Sequence, residues 1–143
     1  MKSFPLLSSL AVFIAALSAT AADDPAVTCR REAFDLAGAW SNDGFRLRDG
    51  CWTGVFTPGK SSVVRVNLLA GNRYWFTVAA GATAGELAVA VYTEDGRPVA
   101  IQSHRDGTRA AAQFQPTSSG SFLVRVEQSR NSAAPFCLIY SYK

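Results

Sequence analysis

From residue 55 onward the chain alternates apolar and polar positions with a period of two, as strands with one buried face do. Val64, Val66 and Leu68 fall on one side of the first such stretch and Val63, Arg65 and Asn67 on the other, before Ala70, Gly71 and Asn72 turn the chain. Tyr74, Phe76 and Val78 then alternate with Arg73, Trp75 and Thr77. Leu87, Val89 and Val91 form a third inward row, and the turn at Glu94, Asp95 and Gly96 leads into a strand over 97–103 in which Val99 and Ile101 point the same way. Ala110 to Phe114 makes a further strand, followed by a loop from Pro116 to Gly120. The inward rows Phe122, Val124, Val126 and Phe136, Leu138, Tyr140 complete the series. Short strands separated by Gly, Asn or Pro turns at intervals of about ten residues predict a mainly β chain, an antiparallel β-sandwich or jelly roll. Each inward side chain contributes about 1.5–3 kcal/mol of burial before chain entropy is subtracted, so the role of these rows is packing.

Upstream of residue 45 the period changes. Cys29, Ala33, Phe34, Leu36, Ala37 and Trp40 recur at near-helical spacing, which predicts a short amphipathic helix over 28–40 capped by Thr28 and weakened at its end by Gly38. Phe45 to Arg48 and Cys51 to Thr53 flank an Asp49-Gly50 pair, a pattern that predicts a hairpin. The first residues differ again. Lys2, the apolar stretch Leu6 to Leu17 and the small residues Ala19, Thr20 and Ala21 have the three parts of a secretory leader, with cleavage near Ala21 or Ala22. The apolar stretch is too short for a comfortable bilayer span, so no membrane span is expected after leader removal. The chain therefore divides into a leader (1–22), a helical extension (23–44) and a sandwich (45–143), and the expected location is periplasmic or extracellular.

The chain has 143 residues, 48% hydrophobic and 17% charged, with a net charge of +3. That length suits one domain with its own core, and the small excess of positive charge creates no field that would gather nucleic acid. Export gives the cysteines meaning, because an oxidising compartment lets disulfides persist. Cys29, Cys51 and Cys137 are odd in number, so a monomer can close one bridge and leave one thiol. Cys51 with Cys137 is the favoured pair, tying the last strand to an early element, with Cys29 left over; three buried thiols are the alternative. A CxxC pair and a Cys/His cluster of metal-ligand spacing are both absent, so neither a metal nor a cofactor is expected.

Three stretches together resemble a known family: Val66 to Thr77, with its Leu69-Ala70-Gly71 and Tyr74-Trp75-Phe76; Leu87 to Gly96, with its Tyr92-Thr93-Glu94-Asp95-Gly96; and Ser119 to Val126. They are similar to the bacterial pre-peptidase C-terminal domain over about residues 45–142. The resemblance implies a β-sandwich of the kind appended to secreted hydrolases, here standing alone, with a role in targeting or contact. Some members bind calcium, yet between the matched strand pairs this chain has Gly81 to Glu86 with a single carboxylate. Calcium takes six or more oxygens, several of them charged, so no calcium is expected there.

Candidate chemistry is sparse. His104 is the only histidine, and Ser103, His104 and Asp106 lie almost adjacent in a strand end, where successive side chains point to opposite faces. The nucleophile elbow, paired metal histidines and phosphate-cradling loops do not occur. A binding surface is the better expectation. Arg65, Arg73, Trp75 and Arg125 lie opposite the core rows, where an aromatic beside arginines would meet a sugar or a peptide. For Trp75 itself the favoured expectation is that the amphipathic helix around Phe34, Leu36 and Trp40 covers it, since that helix needs somewhere to bury its apolar stripe. The chain thus reads as a non-catalytic binding or adhesion accessory with a protein or glycan partner. An alternative is a secreted inhibitor or partner subunit that caps another protein, and a hydrolase built on His104 stands behind both.

Overall fold

The computed structural model describes residues 23–143; the expected leader and its cleavage site lie outside the described residues. One helix and nine strands follow in order: α1 (Pro25–Ser41), β1 (Arg46–Leu47), β2 (Trp52–Val55), β3 (Ser62–Leu68), β4 (Tyr74–Ala80), β5 (Leu87–Thr93), β6 (Gln102–Asp106), β7 (Arg109–Phe114), β8 (Gly120–Gln128) and β9 (Pro135–Tyr142). All ladders are antiparallel, and the strands form two sheets. The larger has the order β1-β9-β4-β7-β6, with β2 also paired to β9; the smaller has the order β3-β8-β5. The chain is thus a mainly β sandwich with a short N-terminal helix. Phe76, Val78 and Leu138 of the large sheet pack against Val66, Leu68, Val89, Val91, Val124 and Val126 of the small one, in one continuous apolar core.

The helix starts earlier than Thr28. The Asp24 carboxylate accepts a hydrogen bond from the Ala26 N–H at 3.0 Å, and Pro25 occupies the first turn, where a missing N–H costs nothing. Thr28 is already inside the helix, its N–H bonded to the Asp24 carbonyl. Cys29, Ala33, Leu36 and Ala37 form the buried stripe. The small side chains at 33 and 37, one turn apart, let the helix lie close on β4 and β9.

Two expectations about the strands need correction. The segments around Asp49-Gly50 do not pair with each other. Arg46 and Leu47 lie opposite Tyr142 and Ser141, while Trp52, Thr53, Gly54 and Val55 lie opposite Leu138, Cys137, Phe136 and Pro135. Both run along β9 as one interrupted edge strand, and Gly50, at φ +93°, forms the break. The Arg48 N–H still reaches the Tyr140 carbonyl at 3.0 Å. A hairpin signal is local, and here β9 offers a longer free edge whose backbone groups need partners. The strand expected over 97–103 begins only at Gln102: before it, Pro98 makes an isolated bridge to Tyr92 and Val99 donates to the Val91 carbonyl. Pro98 has no N–H to extend a ladder. The connection at 81–85 contains a single 3-10 turn over Ala82–Ala84. It ends at Gly85, with φ +72°, where a β-carbon would collide with Ser129 Oγ.

Candidate functional site

The arginines and the tryptophan read from the sequence do not share a surface. Trp75 is 5% exposed, because the Trp40 ring of α1 lies flat on it, with centroids 4.0 Å apart and planes within 5°. Trp40 Nε1–H donates to Thr77 Oγ1 at 3.3 Å, which gives the fully buried threonine a partner. Arg109 joins the two layers at the margin, with Glu32 of the helix 3.7 Å away. The helix therefore covers the β4 and β9 part of the outer face of the large sheet, and an exposed aromatic at Trp75 is not formed. Arg73 precedes β4 on that same sheet, its backbone paired with Lys143.

Arg65 and Arg125, by contrast, are brought together on the small sheet. Pairing places Val63 opposite Arg125, and Arg65 opposite Leu123. On the other side of β8, Ala90 lies opposite Arg125 and Tyr92 opposite Leu123. Since alternate residues share a face, Val63, Arg65, Ala90, Tyr92, Leu123 and Arg125 all point away from the core. No element of the described residues packs over them, and Val63 is 53% exposed. The Arg125 guanidinium lies 5.4 Å from the centre of the Tyr92 ring and pairs with Glu127. Arg65 pairs with Glu94 at 3.3 Å, and Ser121 Oγ donates to Asn67 Oδ1 at 2.8 Å. Val63, Tyr92, Gly96, Leu123 and Arg125 enclose a shallow depression of about 230 Å³. One donor there is unused: Arg125 Nε is buried and has no acceptor within the described chain.

This arrangement suits contact with an apolar group that also presents an acceptor. Val63, Leu123 and the Tyr92 ring form an apolar floor, and the arginine donors fix direction. Sequence reasoning named both arginines but missed Tyr92, although the row Ala88, Ala90, Tyr92 alternates with the inward row of β5 as plainly as any other.

The remaining candidates fall elsewhere. Cys29, Cys51 and Cys137 converge on the helix-covered side of the large sheet, all as free thiols. Burial pushes the Cys29 thiol up from its ordinary range, and the charge of Glu32 adds to the rise. Burial, and then the neighbouring Cys51, push Cys137 up to about 12. On β6, His104 lies opposite Ala111 and its ring sits edge-on to Trp40 at 5.9 Å. Ser103 points to the other side of the strand, and Asp106 is engaged by Arg109, so the three do not converge. Among the described residues, no group of three or more His, Cys, Asp or Glu side chains is placed to hold a metal ion, and no helix is long and apolar enough to cross a membrane.

The fold and this surface define a class: a two-layer antiparallel sandwich with a helix over the centre of one outer face and the other open. No protein-family description matches the chain, and no curated protein matches it. Among solved structures it is similar to PliG of Aeromonas hydrophila, a periplasmic lysozyme inhibitor of g-type lysozyme, at 22% identity over 71% of this chain and 90% of that one, with a TM-score of 0.47. A likeness that loose carries no argument about what this chain does.

Proposed function

We propose that this chain is an exported, non-catalytic binding module that caps another protein, as an inhibitor or a partner subunit would, and that it uses the open face of the small sheet. One observation supports this above the others. The outward row of β3 and its neighbours keeps Val63, Leu123 and Tyr92 in or near solvent beside the partly exposed Arg125 side chain, whereas the outward row of β4 is covered. Apolar side chains that the core does not need, grouped around a directional donor, are what a contact surface requires. Stacking of a sugar or peptide on Trp75 was the lesser expectation, and that ring lies beneath Trp40. Kinship with the pre-peptidase C-terminal domains belongs to the same proposal, since their role in contact suits it. The inhibitor to which the chain is loosely similar is named for acting on an enzyme, and that name stands beside this reading without supporting it.

The test is retention of envelope and culture-supernatant proteins on the immobilised chain, together with a lysis assay in which a g-type lysozyme is the probe. A stoichiometric partner, or inhibition of the lysozyme, that is lost in Tyr92→Ser with Arg125→Gln and kept in Arg73→Gln is the expected outcome. Equal binding by the open-face variant, or no partner and no inhibition at all, overturns the reading.

A further inference from the structure

We infer that Cys51 and Cys137 are the redox pair of this chain, closing a disulfide that fastens the edge strand β2 to β9, while Cys29 stays a thiol under the helix. The geometry selects this pair. Cys137 lies opposite Thr53 in the β2–β9 ladder, and Cys51 is two positions before Thr53, so both side chains fall on the helix side of the sheet. Cys51 packs against the buried cluster that holds Cys137. Cys51 is half-exposed whereas Cys137 and Cys29 are buried, so Cys51 is the sulfur that an outside reagent can reach. Cys29 already has a partner: its S–H donates to the Pro135 carbonyl at 3.5 Å, which holds it against the start of β9.

The chemistry follows from access. The Cys51 thiolate attacks one sulfur of an external disulfide, forming a mixed disulfide and releasing one external thiolate. Cys137 then gives up its proton to solvent, and its sulfur attacks Cys51 Sγ, forming the internal bond and releasing the second external thiolate. Two protein thiols are oxidised and one external disulfide is reduced to two thiols. Burial of Cys137 makes this second step the slower one. Once closed, the bridge joins residues far apart in sequence and pins β2 to the last strand of the fold.

The experiment uses the whole chain, reduced and then exposed to oxidised glutathione, with free thiols alkylated before and after denaturation and the products mapped by peptide mass. The expected result is a single Cys51–Cys137 link, with Cys29 alkylated only after denaturation, and the same link in Cys29→Ser. Reduction should lower Tm by about 10 °C in the wild-type chain and in Cys29→Ser, and leave Cys51→Ser unmoved. A bridge that includes Cys29, three unlinked thiols after oxidation, glutathione retained on Cys51, or a Tm indifferent to reductant would each overturn the inference. None of these outcomes depends on the open face or on what it binds.

Discussion

On β4 the side chains that point away from the core are Trp75, Thr77 and Ala79, each buried; on β3 they are Val63, Arg65 and Asn67, each exposed. The strands have the same length and the same alternation. What separates them is α1, whose alanines bring it close to one sheet while nothing of the kind lies on the other. Covering a face changes what its residues are for. Under the helix a tryptophan becomes stacking surface and a threonine becomes a hydrogen-bond acceptor; on the open face an apolar side chain contributes little to folding and is free for a partner.

That contrast can be broken by substitution, and the covered side should respond most. Trp40→Ala removes the ring stacked on Trp75 and the donor to Thr77, and is expected to cost about 3 kcal/mol in urea unfolding. A cost below about 1 kcal/mol would mean that the helix does not seal the sheet. Next comes alkaline pH. The folded chain holds the Cys137 proton more tightly than the unfolded one, so the stability it contributes is complete below the ordinary thiol value of 9 and is lost as pH rises towards about 12. The reduced chain should lose on the order of 2 kcal/mol between pH 9 and 11, a loss much reduced in Cys137→Ala. That variant is the right reference because Tyr140, pushed up mainly by burial, also titrates in the alkaline range. Thr77→Val keeps the shape but strands the Trp40 N–H, an effect of about 1 kcal/mol that Trp40→Phe should cancel in a double-mutant cycle. Smallest of all, Tyr92→Ser and Leu123→Ser on the open face should each shift stability by less than about 0.5 kcal/mol while abolishing partner retention. A large loss of stability there would place these side chains in the core economy and weaken the binding proposal.

Much of the sandwich was legible in the sequence, because a period of two reports which residues within a strand share a face. Val66 and Leu68, or Val124 and Val126, are buried as their alternation implied. Alternation does not report which sheet a strand joins. Arg65 and Arg125 belong to one face, yet Trp75 belongs to another sheet and lies under the helix, and Arg73 stays exposed just ahead of that strand. Nor does alternation alone report whether an outward row is covered; that comes from the helical stripe of Phe34, Leu36 and Trp40, which has to bury itself and is expected over Trp75, where Trp40 does lie. The Asp49-Gly50 break was misread for a related reason. Turn chemistry is local, and the competing partner, β9, is the last element of the chain. That Cys29 joins Cys51 and Cys137 was likewise hidden, since it depends on how α1 stacks on β9.

The interruption at Gly50 also shapes one margin of the large sheet. An unbroken edge strand presents a row of backbone donors and acceptors on which another chain can lay a strand, the first step towards fibrous growth. Here that margin is split into a two-residue and a four-residue piece, and the opposite margin, β6, is short and polar. Neither rim of the large sheet is a ready template for a strand from another copy.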